Sequence, residues 1–205
     1  MGEQGILIVV SGPSGAGKGS LCNILLNSVE NISMSISATT RPPRAQEVDG
    51  VDYFFMDEKE FKDKIKNNEF LEWAKIYNNY YATPKDFVNK QINNGKDVIL
   101  EIDIQGAAQV KKNCPSGVFI FILPPNIEEL RKRIIKRGSE TQSSIDLRMK
   151  SAKEEIEESS SYDYVILNDD LEKAALKLKS IILAERCKVS RNQKLLQMIR
   201  GGNYQ

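Results

Sequence analysis

The chain has 205 residues, enough for one full hydrophobic core, and its 29 basic and 28 acidic side chains leave a net charge of +1. Because the charges nearly cancel, the protein has no overall field that would attract nucleic acid or a membrane surface, and any anion site must be local. Because the sequence contains no histidine, imidazole catalysis and metal ligation by imidazole are both excluded.

The first predicted element is a strand over residues 6–10, Ile-Leu-Ile-Val-Val. An unbroken apolar, β-branched run is typical of a strand covered on both faces of a parallel sheet. A glycine-rich loop follows, and apolar residues at helical spacing from Leu21 to Val29 then predict a helix. The glycines allow backbone N–H groups to surround phosphate oxygens at the start of that helix, where Lys18 adds a positive charge. The predicted phosphate site consists of Gly12, Pro13, Ser14, Gly15, Ala16, Gly17, Lys18, Gly19 and Ser20.

This loop departs at one position from the P-loop pattern G-x-x-x-x-G-K-[ST], because Gly19 follows Lys18 and the hydroxyl comes one residue later, on Ser20. Ser20 is therefore the candidate Mg²⁺ ligand of the loop, either directly or through a water molecule. The alternative, a glycine-rich turn that binds nothing, explains neither Lys18 nor the strand before the loop.

The next stretch alternates apolar and polar residues over 32–37, which predicts a half-exposed strand. Two prolines then stiffen a loop that carries Arg41 and Arg44. Arginines at this spacing suit bidentate binding of a phosphate or a carboxylate. A solvated basic loop is the alternative.

Residues 53–55 predict a strand, residues 58–67 a short helix, and residues 70–77 a further strand. Period two in this last strand places Glu72 on the same face as Phe70, Ala74 and Ile76. A carboxylate on an apolar face needs partners, which could be a structural ion pair or the N–H donors of a bound base.

Residues 78–82 are predicted to form a turn that carries Tyr80 and Tyr81. Thr83 before Pro84 is typical of an N-cap followed by the first residue of a helix. Capping alone would explain Thr83.

Three later features are predicted to face the crevice above the sheet. Residues 98–104 form a buried strand that ends in acid at Asp103, and residues 164–167 form a strand followed by Asn168. Ligands bind at the carboxyl ends of the strands in a doubly wound sheet, although a solvated strand end is the alternative for Asp103. Two helices, one after the strand at 118–123 and one beginning near Ile145, are joined by a polar loop and predict a mobile lid.

The basic residues of this predicted lid are Arg133, Arg137 and Arg148. Favourable charge at a helix C-terminus is the alternative for the first two. A closing helix is predicted from Leu171 onward, and the polar chain after Ser190 is expected to fray.

Alternating strands and helices predict an α/β domain with a parallel sheet. An anion site opposite the glycine loop implies phosphoryl transfer to an acceptor that is itself a phosphate. Such an acceptor is already ionised and needs no general base, which agrees with the absence of histidine. Catalysis then consists of alignment and charge neutralisation by Lys18, the arginines and Mg²⁺.

Six motifs together resemble those of the guanylate kinases, the ATP:GMP phosphotransferases, over about residues 5–188. They are SGPSGAGK at 11–18, SATTRPPR at 37–44, EVDGVDY at 47–53, NYY at 79–81, DIQG at 103–106 and NDD at 168–170. The resemblance implies a single domain of residues 1–205, with a P-loop core of parallel sheet flanked by helices (5–35, 96–131 and 160–189). It also implies an inserted GMP-binding subdomain (36–95), a helical lid (132–159) and a tail (190–205).

The resemblance further implies the role of each site residue. The GMP phosphate would be held by Arg41, Arg44, Tyr53 and Tyr81, and the guanine pocket would be lined by Ser37, Glu72, Thr83 and Asp103. The catalytic cations would be Lys18, Arg41, Arg133, Arg137 and Arg148, and Asn168 would lie near the adenine of ATP. The family departures are Asn78 and Ala82, where glycines are frequent, and Glu101, where an aspartate near the metal is frequent.

The implied cofactor is Mg²⁺ with ATP as phosphoryl donor, and the implied partners are the small-molecule substrates ATP and GMP. We expect no nucleic-acid, membrane or obligate protein partner. Because Cys22, Cys114 and Cys187 are odd in number and widely separated, we expect a cytoplasmic protein. Two rival hypotheses are a guanylate-kinase-like scaffold that binds proteins and a kinase for another nucleotide.

Overall fold

A computed structural model of the chain describes residues 4–76, 78–136 and 142–201. The strands are β1 (Leu7–Ser11), β2 (Ile32–Met34), β3 (Ala38–Thr39), β4 (Phe54–Phe55), β5 (Phe70–Ile76), β6 (Asn79–Pro84), β7 (Asp97–Glu101), β8 (Val118–Leu123) and β9 (Tyr164–Leu167). The helices are α1 (Lys18–Ser28), α2 (Glu58–Lys66), α3 (Lys85–Asn93), α4 (Ile104–Asn113), α5 (Ile127–Lys136), α6 (Gln142–Glu157), α7 (Leu171–Arg186) and α8 (Gln193–Arg200). Among these described residues no helix is both long and apolar enough to cross a membrane.

The central sheet is parallel throughout, with strand order β2-β7-β1-β8-β9. Helices cover both of its faces. One buried cluster joins the sheet to α1 and α7 through residues such as Leu25 and Leu178, and a second joins it to α3 and α4 through Val88 and Val110. The prediction of an α/β fold with a parallel sheet between helices is confirmed.

A second, four-stranded sheet has the order β4-β3-β6-β5 and lies within residues 36–95. Strand β6 is antiparallel to both of its neighbours, β3 and β5. This sheet has a small core of its own, in which Phe61 of α2 packs with Phe70, Ala38 and Ala82. The subdomain and lid boundaries given above remain predictions.

The tyrosine turn predicted at residues 78–82 is wrong for most of its length, because β6 begins at Asn79 and contains both Tyr80 and Tyr81. The predicted cap is also wrong. Pro84 precedes α3 without a side-chain cap, and the Thr83 hydroxyl donates to Glu72 at 2.6 Å. Thr83 lies within β6, two residues before the first residue of α3, so its hydroxyl does not cap the helix and donates instead to the buried carboxylate on the neighbouring strand.

Two strands of the central sheet are shorter than predicted, and the tail is helical where a frayed end was predicted. Strand β2 stops at Met34, and β7 stops at Glu101 because Asp103 leaves the sheet to cap α4, where it accepts from the Gly106 amide at 2.8 Å. The tail forms α8 over residues that were expected to fray.

Candidate active site

The glycine loop connects β1 to α1 in a conformation that only glycine adopts easily. Gly12 and Gly17 have φ values of 142° and 93°. A Cβ on Gly12 would lie 2.3 Å from the carbonyl oxygen of Ile122, and one on Gly17 would lie 2.3 Å from Nδ2 of Asn168. The loop is thus packed against β8 and Asn168 so closely that neither position accepts a side chain.

Lys18 is the first residue of α1, and its side chain turns back over the loop. Its ammonium group donates to the carbonyl oxygens of Gly12 at 2.6 Å and Pro13 at 3.3 Å. These contacts hold a positive charge beside the backbone donors of the loop and the N-terminus of α1, where an anion is favoured.

Asn168 follows β9 and is buried against the loop. Its amide Nδ2 donates to the carbonyl of Ala16 at 2.7 Å, and its backbone N–H donates to Leu123 at 2.8 Å. Asn168 was predicted to face the same crevice as the loop, and in the structure the two are in direct contact.

We expect Asn168→Ala to lower the free energy of unfolding by about 1–3 kcal/mol, because it leaves the buried Ala16 carbonyl without its donor. Loosening of the loop should also raise the KM for ATP severalfold, with a smaller effect on the KM for GMP. Urea unfolding and steady-state kinetics measure the two effects. The exposed Asn67→Ala is the control, and a variant as stable as the wild type would contradict the role given to this contact.

Helices α5 and α6, which contain the predicted lid, pack on each other through Leu130, Ile134, Ile145 and Ala152. Arg148 of α6 reaches the glycine loop, where its guanidinium donates to the hydroxyl of Ser14 at 2.9 Å.

The other two predicted lid cations are Arg133 and Arg137. Arg133 of α5 donates to Glu129 at 3.1 Å. Its guanidinium also lies 3.5 Å from the carbonyl of Asn168. Arg137, the third predicted lid cation, lies outside the described residues.

Two residues with oxygen atoms that can bind a metal ion, Glu101 and Ser20, lie at the first turn of α1, next to the glycine loop. A Cβ on Gly19 would be 3.4 Å from the carboxylate of Glu101, so Glu101 faces the first turn of α1. Ser20 is exposed on that turn. Carboxylate and hydroxyl oxygens are ligands that Mg²⁺ accepts, and Mg²⁺ is commonly held by one or two protein oxygens together with phosphates and water. The residues present therefore fit a Mg²⁺ ion.

The predicted acceptor-phosphate site is assembled around Arg41. Its guanidinium forms an ion pair with Glu47 at 2.8 Å and lies 5.4 Å from the ring centre of Tyr53. The Tyr53 and Tyr81 rings are 6.3 Å apart. Hydrogen bonds to Glu47 and Tyr81 raise the pKa of Arg41, so this cation is permanent. Arg44 is exposed on the adjoining loop, and its backbone N–H donates to Glu47 at 2.8 Å.

Glu72 and Thr83 form the buried end of a second cluster, the predicted base pocket. The two residues pair across β5 and β6 and are 7% and 1% exposed. Burial raises the pKa of the Glu72 carboxyl to about 7. The hydrogen bond from Thr83 lowers this pKa, and the negative charge of Asp103, at the start of α4, raises it. Ser37 directly precedes Ala38, which pairs with Ala82 next to Thr83. Glu72, Thr83 and Asp103 are thus brought together, and Ser37 lies just before β3, the strand next to β6.

The comparisons with known proteins agree over nearly the whole chain. The family model described as guanylate kinase matches residues 4–185. A guanylate kinase of Caldanaerobacter subterraneus subsp. tengcongensis is 57% identical over 97% of this chain and 96% of its own, and one of Clostridium perfringens (strain 13 / Type A) is 57% identical over 92% and 88%. The crystal structure of guanylate kinase from Anaplasma phagocytophilum superposes with a TM-score of 0.74 at 34% identity, covering 100% of this chain and 99% of that one.

The chain belongs to the guanylate kinase family. It is an enzyme, a nucleoside monophosphate kinase that transfers a phosphoryl group from ATP to GMP. The scaffold hypothesis, which keeps the fold without the activity, is therefore set aside.

Two acidic residues beside the candidate site of this guanylate kinase were not predicted from the sequence. Glu47 holds Arg41, and its position three residues after Arg44 was the available signal. Glu155 lies on α6 seven residues after Arg148, a spacing that returns to the same helix face, and it is half-buried with Lys18 and Asp103 as its charged neighbours. Burial and Asp103 raise the pKa of Glu155, and Lys18 opposes them.

Proposed function

We propose that this guanylate kinase catalyses Mg²⁺-dependent transfer of the γ-phosphoryl group of ATP to GMP at the site described above, with the glycine loop as donor site and residues around Arg41 and Glu72 as acceptor site. The observation that carries the proposal is the buried carboxylate of Glu72. It lies on the sheet face that also carries Tyr81, beside the Arg41 cluster and opposite the start of α4.

The donor phosphates would be bound by the backbone N–H groups of the loop and by Lys18. Lys18 is already oriented by two carbonyl contacts, so little reorganisation accompanies ATP binding. Arg148 touches the loop at Ser14, which supports a role for the lid in surrounding the transferring phosphoryl group with positive charge. Arg133 and Arg137 would contribute to the same charge. Asn168 would support the loop on the side toward the adenine.

The acceptor phosphate would be bound by Arg41, Arg44, Tyr53 and Tyr81. Glu47 would orient Arg41 before GMP arrives, since it holds one edge of the guanidinium at 2.8 Å. The phosphate of a nucleoside monophosphate is largely dianionic at neutral pH, with a second pKa of about 6. Its oxygen can therefore attack without a general base, and the protein's contribution is alignment and charge neutralisation.

The guanine base would be selected by Glu72. Guanine presents two adjacent donors, N1–H and the N2 amino group, whereas adenine presents an acceptor at N1. An ionised carboxylate matches the first pattern and repels the second. Thr83, Ser37 and Asp103 would complete the pocket around the base.

Mg²⁺ bound with ATP would neutralise charge on the β- and γ-phosphates. Glu101 and Ser20 would hold it, directly or through water.

The substrates ATP and GMP are the partners proposed. A cytoplasmic location is supported by Cys22, Cys114 and Cys187, all of which are free thiols.

The direct test is an ADP-release assay with ATP and Mg²⁺ that offers GMP, AMP, UMP and CMP in parallel. We expect turnover with GMP at a kcat/KM at least about 10³ times that of any other acceptor, because the wrong base leaves the buried Glu72 unpaired. Comparable turnover of AMP would contradict base selection by Glu72. No turnover with any acceptor would contradict the proposed reaction.

A further inference from the structure

Strand β5 contains a β-bulge at Leu71. Phe70 pairs with Pro84, but Glu72 pairs with Thr83, so two steps along β5 match one step along β6. An extra residue in one strand turns the following side chain to the opposite face. Phe70 consequently packs with Phe61 in the small core, whereas Glu72 points to the face that carries Thr83. The expectation that these two residues share a face is wrong for this reason, and the bulge is what aims Glu72.

The bulge is held from outside the sheet by two side chains of α4. Strand β5 is the edge of its sheet, and α4 lies along that edge. The side-chain amide of Gln109 accepts from the Trp73 N–H at 3.2 Å and donates to the Trp73 carbonyl at 3.0 Å. Asn113, one turn further along α4, donates to the carbonyl of Leu71 at 2.7 Å. Both sequence neighbours of Glu72 are thus tied through their backbones to one helix.

The same helix forms the wall opposite the Glu72 carboxylate. A Cβ on Gly106 would lie 3.1 Å from Glu72 Oε2, and Asp103 caps the helix at 2.8 Å from the Gly106 amide. The side chain of Leu71 joins the buried cluster that contains Ala107 and Val110. Helix α4 therefore determines the position of Glu72 relative to Asp103 through contacts on both sides of the bulge.

We propose that Gln109 and Asn113 are positioning residues for guanine recognition, which hold the bulged edge of β5 on α4 and thereby fix the Glu72 carboxylate in the base pocket. This inference rests on the proposed role of Glu72. Two hydrogen bonds to adjacent donors of one base require both carboxylate oxygens in place, so a small rotation of the strand weakens both. The Arg41 cluster and the glycine loop lie on other elements and keep their contacts.

The test compares Gln109→Ala, Asn113→Ala and the double variant with Lys112→Ala, an exposed neighbour on the same helix that carries none of these bonds. The double variant should raise the KM for GMP about tenfold, since a misplaced Glu72 carboxylate loses about one hydrogen bond to guanine, and one bond to a charged group is worth about that factor. The KM for ATP and the kcat at saturating GMP should stay within about twofold. Inosine monophosphate lacks the N2 amino group, so the preference for GMP over it should fall in the same variants.

A cycle with Glu72→Gln shows whether the two amides act through Glu72. In that background the double replacement should add less than about twofold to the KM for GMP, because the group that it positions is already lost. A full additional tenfold increase would overturn the inference and leave the role of Glu72 standing. An unchanged KM for GMP in the double variant would overturn it as well. If Glu72→Gln alone leaves the KM for GMP unchanged, base selection by Glu72 and this inference are both wrong. The single variants carry the test if the double variant does not fold.

Discussion

Replacing Lys18 by methionine is expected to lower kcat by about 10³-fold with little change in fold or in GMP binding. The ammonium group is the one side-chain charge contributed by the glycine loop itself, and its two carbonyl contacts at 2.6 and 3.3 Å hold it there before substrate binds. Negative charge on the transferring phosphoryl group would then lose the positive neighbour that the loop itself holds in place. Methionine keeps most of the volume of the stem and changes no backbone donor of the loop.

The measurement is kcat at saturating ATP, Mg²⁺ and GMP, together with GMP titration by calorimetry. Lys177→Met, on the exposed face of α7, controls for the loss of a lysine charge alone. A decrease of less than about tenfold in kcat would contradict a role for Lys18 in charge stabilisation, since removal of a single positioned donor typically costs about 10²–10³. Weaker GMP binding in Lys18→Met would indicate that the acceptor site depends on the loop more than the geometry suggests.

The glycine loop and the central sheet were predictable because their signals are local. Unbroken apolar runs specify strands that are buried on both faces, and glycines in close succession specify a loop with positive φ angles. Strands β1, β7, β8 and β9 of the central sheet were identified from apolar runs and β2 from an alternating pattern, with errors only at the ends. Asp103 shows why the ends fail. Its carboxylate gains a backbone N–H by capping α4, and that gain depends on a helix start which an apolar pattern does not record.

The sequence identifies candidate residues for the base pocket but does not give their geometry. The bulge at Leu71 depends on contacts of β5 with α4, more than thirty residues later in the chain, and no period-two pattern can contain it. Thr83 illustrates the same limit, because its sequence context favours a cap while its actual partner, Glu72, lies eleven residues away on the neighbouring strand. Glu47 belongs to the EVDGVDY motif at 47–53, but its ion pair with Arg41 is visible only in the structure, where the loop brings the two side chains together.

The tail shows a different limit. Leu195, Met198 and Ile199 recur at helical spacing, and this pattern was available in the sequence, yet the surrounding polar residues favoured a frayed end. In the structure α8 forms with these apolar side chains about half exposed. The start of α8 is tied to the end of α7 by the Asn192 side chain, which donates to the carbonyls of Arg186 and Lys188 at 2.8 Å, and the polar composition of the tail does not reveal this contact.

The variant Glu72→Gln is expected to raise the KM for GMP about 100-fold, with little change in the KM for ATP. The amide offers one acceptor and one donor where guanine requires two acceptors. One hydrogen bond is therefore kept but loses its charge assistance, and the other is replaced by a repulsive donor–donor contact, a change of about 3 kcal/mol in total. Glu58→Gln, which removes an exposed carboxylate paired with Lys62, is the matched control. An increase of less than about threefold would be too small for the loss of even one bond to a charged group.

Wild-type protein should show two opposite pH trends that both become clearly smaller in Glu72→Gln. What remains in that variant comes from the GMP phosphate, whose second pKa is about 6, and from other carboxyls with a raised pKa such as Glu155. Burial raises the pKa of Glu72 to about 7 in the folded protein, so guanine meets an ionised carboxylate only above that pH. The kcat/KM for GMP should therefore fall as the pH decreases below 7. The folded state also binds this proton more tightly than the unfolded state does. The stability that the group contributes is thus complete below its ordinary pKa of 4.5 and is lost as the pH rises through 7, by at most about 3 kcal/mol.

Urea unfolding of substrate-free protein at pH 5 and pH 8 measures the second trend, and GMP added at pH 8 should restore much of the lost stability by pairing the charge. A wild-type protein whose stability and GMP affinity both rise with pH between 5 and 8 would show that Glu72 is ionised throughout that range. The expected result is instead that the protein is least stable under the conditions in which it binds GMP best. The buried charge would then be a cost of guanine selection, and the substrate itself would supply the hydrogen-bond donors that offset it.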